Sequence, residues 1–209
     1  MVECVIFDCD GTLVDSEYLC CLGLEIKLKE HGVCLSATKL SLKYRGWKLS
    51  NIIQEIESEH QLQLENDFVL SYRKLVDELF ERNLTPCEGV VDALESIDLP
   101  KCVASSGPLE KIQKALLVSG LSKYFGSNLF SSYEIGSWKP EPDLFLYSAR
   151  QMGYEPNNCM VVEDSELGIL AARAANIPSV LYDPSEIYSS RFHSPKINSM
   201  SQLRNEITT

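Results

Sequence analysis

Short runs of apolar residues alternate with stretches of helical periodicity along most of the chain. The apolar runs are bounded by turn residues, and they predict strands at Cys4–Phe7, Cys102–Ala104, Leu129–Ser131, Cys159–Val162 and Val180–Tyr182. Helical patterns lie between them at Leu109–Val118, Pro142–Met152 and Leu167–Ala175. This alternation is typical of a parallel sheet with helices on both faces. We therefore predict an α/β protein with a Rossmann-like parallel sheet.

Residues 15–84 break the alternation, because they contain no run that predicts a strand. Apolar residues recur there with the period of amphipathic helices. The predicted helices are Ser16–His31, Ser36–Tyr44, Leu49–Glu59 and Glu65–Asn83. We thus predict an α/β core made of residues 1–14 and 85–209, with an all-helical domain at 15–84 inserted after the first strand.

Charge and hydropathy restrict the partners and the location. The net charge is −11, and such a surface repels nucleic acid and anionic membranes, so neither is an expected partner. No stretch approaches the roughly 20 apolar residues that span a bilayer, and no signal-peptide pattern begins the chain. We expect a cytoplasmic monomer.

Eight cysteines are spread along the chain, and none forms a Cys-x-x-Cys pair. Three of them, Cys4, Cys102 and Cys159, lie in predicted strands. Buried reduced thiols behave as small apolar side chains, and this is the role that we expect for them. Neither the cysteines nor the three isolated histidines show the paired spacing of zinc ligands, so no zinc site is expected.

Acidic residues directly follow two of the predicted strands. Asp8 and Asp10 come after the first strand, and Glu163 and Asp164 follow the strand that ends at Val162. Ligand sites of open parallel sheets lie beyond the carboxyl ends of the strands, so these carboxylates should meet at one edge. Clustered carboxylates repel one another unless a cation lies among them. A hard divalent cation such as Mg²⁺, which prefers oxygen ligands, fits this need.

Other polar residues should reach the same edge. Ser105, Ser106 and Gly107 follow the second strand, where a hydroxyl and free amides suit phosphate oxygens. Lys139 stands before a predicted helix. Each feature alone is also typical of a turn or a helix cap. Carboxylates, a cation, a lysine and a hydroxyl together favour phosphoryl transfer, in which a carboxylate can act as the nucleophile.

With these motifs in this order, the sequence resembles the haloacid dehalogenase superfamily of phosphohydrolases. The resemblance rests on the segments VIFDCDGTLVDS, VASSG, WKPEPDLF and VVEDSELGI, and it covers essentially the whole chain. It implies that the helical insertion is a C1-type cap. It also implies a Mg²⁺-dependent phosphatase that works through an aspartyl-phosphate on a small phosphorylated substrate.

The resemblance assigns roles to the four acidic residues. Asp8 is the expected nucleophile, kept ionised by the metal and by a lysine. Asp10 is the expected general acid and base, with a pKa nearer neutrality. Asp8, the backbone carbonyl of Asp10 and Asp164 are the expected Mg²⁺ ligands, and it stays open whether Glu163 is a further one.

The resemblance also assigns the residues around the phosphate. Ser105, Ser106 and Gly107 are expected to bind the phosphoryl group. Lys139 is expected to neutralise charge between the nucleophile and that group.

A basic stretch in the insertion bears on the substrate. Between His31 and Gln54 the sequence has no acid and four bases, at Lys39, Lys43, Arg45 and Lys48. A solvated basic helix face would explain the same pattern. The functional alternative is that Arg45 and Lys48 bind a second anionic group, as in a sugar acid phosphate such as 6-phosphogluconate.

Two other functions stay open. One is a β-phosphoglucomutase-like phosphotransferase, although such mutases carry a His where this chain, aligned without gaps from Asp8, has Cys20. The other is a non-catalytic binding protein on the same fold, which the presence of every core catalytic residue disfavours.

Overall fold

The computed structural model describes residues 1–188 and 194–208, so His193 lies outside the described residues. Its centre is a parallel sheet of six strands in the order β3-β2-β1-β4-β5-β6. The strands are β1 (Cys4–Phe7), β2 (Lys101–Ser105), β3 (Leu129–Ser131), β4 (Cys159–Glu163), β5 (Ser179–Tyr182) and β6 (Lys196–Ile197). The five predicted strands are confirmed to within one residue at each end, whereas the two-residue β6 is too short for a recognisable pattern.

Eleven α-helices occur in the described residues, and none of them has the length and apolar character that crossing a membrane would require. The helices in chain order are α1 (Glu17–Glu30), α2 (Ala37–Tyr44), α3 (Leu49–His60), α4 (Phe68–Asn83), α5 (Val90–Ser96), α6 (Leu109–Val118), α7 (Ser122–Phe125), α8 (Ser132–Ile135), α9 (Asp143–Met152), α10 (Glu166–Ala174) and α11 (Leu203–Thr208). The seven predicted helices are all present, and the four that were not predicted have seven residues or fewer.

Successive residues of β1 point to opposite faces of the sheet, as a strand requires. Val5 and Phe7 belong to the larger apolar cluster, which continues into helices α1 to α6. Cys4 and Ile6 belong to a second cluster with residues of α9 and α10. That second cluster also contains Cys102 and Cys159, so the prediction of buried free thiols is confirmed for Cys4, Cys102 and Cys159, whereas it is wrong for Cys34, which is exposed.

Helices α1 to α4 form the insertion, and residues 15–84, all within the described part of the chain, contain no strand. Both ends of this insertion leave the core side by side. The amide of Asp15 donates to the carbonyl of Thr85 at 3.0 Å, and Val14 forms a β-bridge with Pro86. The insertion is therefore connected to the sheet through two adjacent backbone segments, next to the carboxyl end of β1.

Candidate active site

The sheet order reverses at β1, since β2 lies on one side of it and β4 on the other. Ligands of open α/β sheets bind at such a reversal. Asp8 follows β1, and Asp164 follows β4 at the same edge. The predicted meeting of these two carboxylates is thus a direct result of the strand order.

The turn after β1 depends on Gly11. Its φ is +82°, a left-handed conformation that other residues adopt only with strain. A Cβ placed on Gly11 would lie 2.3 Å from Oδ2 of Asp164. Glycine therefore permits both the turn and the close approach of the carboxylate from the neighbouring strand.

Lys139 connects two buried carboxylates. Its Nζ lies 2.5 Å from Oδ1 of Asp8 and 2.6 Å from Oε1 of Glu163. Burial raises the pKa of Asp8 well above its ordinary value, Lys139 opposes this rise, and Glu163, Asp164 and Asp10 add to it. Lys139 alone does not cancel the rise in the pKa of Asp8, because burial and three neighbouring carboxylates together outweigh one ammonium.

Glu163 has no free carboxylate oxygen. Oε1 accepts from Lys139, while Oε2 accepts from the amide and the hydroxyl of Ser165 at 2.7 and 2.8 Å. These bonds hold the lysine toward Asp8 and fix the start of α10. The arrangement favours a positioning role for Glu163 over direct coordination of a metal.

Asp10 is bound by two donors that lie far apart in the sequence. Its Oδ1 accepts from Ser16 Oγ at 2.5 Å and from Lys111 Nζ at 2.7 Å. Burial acts to raise the pKa of Asp10, but the charge and hydrogen bond of Lys111, with help from Ser16, bring it below the ordinary value. The expectation of a pKa nearer neutrality is therefore wrong for this arrangement.

Lys111 is a site residue that the sequence analysis did not predict. It lies in the first turn of α6, only a few residues after Ser105-Ser106-Gly107, so its helix starts beside the predicted phosphate segment. Its position in that turn was the available signal, since the first turn of a helix after a parallel strand lies at the ligand edge of the sheet.

Asp164 is buried and forms an ion pair with Arg45 of the insertion. Thr12 donates to its Oδ1 at 3.2 Å, and Nε of Arg45 lies 2.9 Å from its Oδ2. Burial, Glu163 and Glu17 raise the pKa of Asp164 to about 8, although Arg45 opposes them. Arg45 also lies 3.1 Å from Glu17. Arg45, which the sequence analysis predicted to bind substrate, is thus paired with two carboxylates of the site.

The predicted phosphate segment lies beside these groups. Ser105 is buried at the end of β2, and its Oγ accepts from the amide of Gly107 at 3.0 Å. The carbonyl of Ser106 accepts from Nε1 of Trp138 at 3.2 Å. The bond from Trp138 ties the phosphate segment to the loop that supplies Lys139.

All of the predicted site residues line one cavity of about 500 Å³ between the insertion and the core. Of the four bases in the predicted basic stretch, Arg45 and Lys48 line this cavity. Lys43 instead forms exposed ion pairs with Glu55 and Glu59, so the solvated-face interpretation fits that residue.

The sequence model of the haloacid dehalogenase-like hydrolases matches residues 2–176. The chain belongs to this family. This match confirms the predicted family. Because the family consists of hydrolases, it also confirms the prediction of an enzyme. The parallel sheet with flanking helices is likewise the predicted fold.

Named relatives are similar over nearly the full chain. A 6-phosphogluconate phosphatase of Escherichia coli (strain K12) is 34% identical, over 97% of this chain and 91% of that protein. A phosphorylated carbohydrates phosphatase of Thermotoga maritima is 27% identical, over 86% of this chain and 84% of that protein. A haloacid dehalogenase-like protein of unknown function from Agrobacterium tumefaciens has a solved structure with a TM-score of 0.85 and 32% identity, covering 100% of this chain and 98% of that one.

Proposed function

We propose that this protein is a Mg²⁺-dependent phosphatase that hydrolyses a sugar or sugar acid phosphate, best represented by 6-phosphogluconate, through an aspartyl-phosphate on Asp8. The contact between Asp8 and Lys139 carries the proposal, because it places a buried carboxylate against an ammonium at the inner end of the cavity. Asp10 and Asp164 line the same cavity. The names of the relatives support both the reaction and the substrate class.

In the proposed reaction, a carboxylate oxygen of Asp8 attacks phosphorus, and the ester oxygen leaves with a proton from Asp10. A water molecule then loses its proton to Asp10 and attacks phosphorus, which releases phosphate and restores Asp8. Lys139 reduces the repulsion between Asp8 and the anionic phosphoryl group, and Ser105 donates to a phosphoryl oxygen.

The low proton affinity of Asp10 fits this sequence of steps. Lys111 and Ser16 keep the carboxylate anionic before substrate binds. A phosphoryl dianion nearby raises the pKa of a carboxyl group, since like charges disfavour the ionised form. The substrate itself would thus help Asp10 to acquire the proton that it later donates.

The residues at this edge fit Mg²⁺. Asp8, the carbonyl of Asp10 and Asp164 would hold it, and Mg²⁺ commonly takes one or two carboxylates together with waters and substrate phosphate. The described residues contain no group of three or more His, Cys, Asp or Glu side chains that could hold a metal ion. The cation would supply the positive charge that the crowded carboxylates Asp8 and Asp164, both with raised pKa values, require.

We further propose that residues 15–84 act as a cap on a core of residues 1–14 and 85–209. Gly46 in the α2–α3 loop supports this assignment: its φ is +76°, and a Cβ there would lie 2.9 Å from Cβ of Ser165. The loop and the start of α10 therefore approach too closely for a side chain. A cap in this position would exclude water during the reaction. A monomeric state and a cytoplasmic location stay predictions.

Phosphate release from a panel of substrates tests the proposed function. The panel contains 6-phosphogluconate, glucose 6-phosphate and β-glucose 1-phosphate, each with Mg²⁺, with a chelator, and with Mg²⁺ restored. We expect chelation to stop release and Mg²⁺ to restore it, with 6-phosphogluconate preferred. Conversion of glucose 1-phosphate to glucose 6-phosphate with little free phosphate would instead identify a mutase.

A further inference from the structure

Two cations of the insertion rest on a pair of aromatic rings of the core. Nζ of Lys48 lies 3.2 Å from the ring centroid of Trp138. The guanidinium carbon of Arg73 lies 5.5 Å from the ring centroid of Tyr133, and its Nη2 donates to the Tyr133 hydroxyl at 3.1 Å. The two rings pack edge to face with centroids 5.3 Å apart. Lys48, Arg73 and Tyr133 line the cavity of the active site.

These two cations differ from the others that line the cavity. A carboxylate partner neutralises each of Arg45, Lys111, Lys114 and Lys139. Among the residues that the structure describes, Lys48 and Arg73 form no ion pair with any carboxylate. An aromatic face attracts a cation without cancelling its charge. Their positive charge therefore remains available to a ligand.

Two acids at the rim do not remove this charge. Asp77, one turn after Arg73 on α4, and Glu110, near the start of α6, also line the cavity. Both are exposed, so water and salt screen them. Neither of them pairs with Lys48 or Arg73 in the described part of the chain.

The aromatic pair connects these cations to the phosphate end of the cavity. Trp138 donates to the carbonyl of Ser106 and directly precedes Lys139, which contacts Asp8. Asp8, Lys48 and Arg73 line the same cavity, so a phosphate ester with its phosphorus at Asp8 would extend through it toward the two cations. Lys48 and Arg73 would therefore contact the end of the substrate that lies farthest from its phosphate.

We infer that Lys48 and Arg73, held on Tyr133 and Trp138, form a carboxylate-binding site, in which Arg73 determines specificity for sugar acid phosphates. The planar guanidinium matches the two oxygens of a carboxylate. This inference rests on the proposed function and names its substrate-selecting residue. Lys48 keeps the role that the sequence predicted for it, whereas Arg73 replaces Arg45, which pairs with Asp164 and Glu17.

A matched pair of ligands tests the site. In glucitol 6-phosphate a hydroxymethyl group replaces the carboxylate of 6-phosphogluconate, and the rest of the chain is the same length. Isothermal titration calorimetry on an Asp8→Asn protein measures both affinities without turnover. We expect 6-phosphogluconate to bind at least about tenfold more tightly, since hydrogen bonds to charged groups are worth this much.

Replacement of Arg73 by Met in the same background should reduce that preference about tenfold, and Lys48→Met should reduce it in the same direction. Lys74→Met removes an exposed charge from the next position of α4 and should leave the preference unchanged. Melting temperatures verify that each variant is folded.

An unchanged preference in both Arg73→Met and Lys48→Met would overturn the inference, as would equal binding of the two ligands before substitution. Glucose 1,6-bisphosphate serves as a third ligand. If it binds more tightly than 6-phosphogluconate and this binding depends on Arg73, the site binds a second phosphate rather than a carboxylate, and the inference is overturned. The proposed function has its own test, since it fails if the wild-type enzyme releases no phosphate from sugar acid phosphates. The two failures can be distinguished, because the binding ratios do not depend on turnover.

Discussion

The ammonium of Lys111 lies 2.7 Å from Oδ1 of Asp10, and this contact joins the first turn of α6 to the loop after β1. Lys111 lowers the pKa of Asp10 through its charge and its hydrogen bond. Lys111→Met should therefore raise that pKa. Because the anion of Asp10 activates water for hydrolysis of the aspartyl-phosphate, which contributes to kcat, the acidic limb of the pH profile of kcat should move to higher pH.

Phosphate release from a small aryl phosphate between pH 4 and about 9 measures this shift. Lys123→Met, at an exposed lysine on α7, is the control and should keep the wild-type profile. An acidic limb that stays in place in Lys111→Met would show that Asp10 does not depend on this lysine.

Lys139→Met should destabilise the fold. It leaves Asp8 and Glu163 buried without their cation, and removal of one partner from a buried ion pair typically costs about 3–5 kcal/mol. The pKa of Asp8 is already raised in the folded state, so its ionisation destabilises the fold as pH rises. The loss should thus be smaller at acidic than at neutral pH.

Urea unfolding of wild type and Lys139→Met at both pH values measures this difference. Lys43→Met, at an exposed pair with Glu55 and Glu59, should change the stability little. A loss in Lys139→Met that grows as the pH falls would contradict the account.

Arg45→Met should strengthen Mg²⁺ binding. The guanidinium lies 2.9 Å from Oδ2 of Asp164, where it occupies a proposed metal ligand and repels a second cation. Calorimetric titration with Mg²⁺ should show a several-fold lower dissociation constant, whereas Lys39→Met, at an exposed lysine of α2, should match wild type. Weaker Mg²⁺ binding in Arg45→Met would mean that Arg45 supports the metal site.

Gly11→Ala should reduce turnover about a hundredfold, because a small displacement of catalytic groups can cost that much. The new methyl group would meet Oδ2 of Asp164 at 2.3 Å. Gly32→Ala is the matched control, since Gly32 also has a positive φ, of 80°, and has open space around its Cα. Equal losses of activity in the two variants would point to backbone strain alone rather than to displacement of Asp164.

Much of the fold follows from local pattern. Buried parallel strands are continuous apolar runs, so Cys4–Phe7 and Leu129–Ser131 could be located to the residue. The strand order that brings Asp8 beside Asp164 is typical of doubly wound parallel sheets. The short helices α7 and α8 lack enough turns for a periodic signal, and tertiary packing decides them.

The electrostatics of the site could not be predicted in the same way. The pKa of Asp10 depends on Lys111, which lies 101 residues away in sequence. The pairing of Arg45 with Asp164 likewise depends on how the insertion folds over the core. Sequence motifs identify which groups meet, but their charge states depend on distances and burial that only the folded chain fixes.

Identification of the phosphorylated residue tests the central claim most directly. Wild-type enzyme turning over 6-phosphogluconate with Mg²⁺ is quenched with borohydride, which reduces an acyl phosphate to an alcohol, and its peptides are sequenced by mass spectrometry. The account predicts homoserine at position 8, and no reduction in the Asp8→Asn protein. Homoserine at position 10 instead, or full turnover by Asp8→Asn, would contradict it.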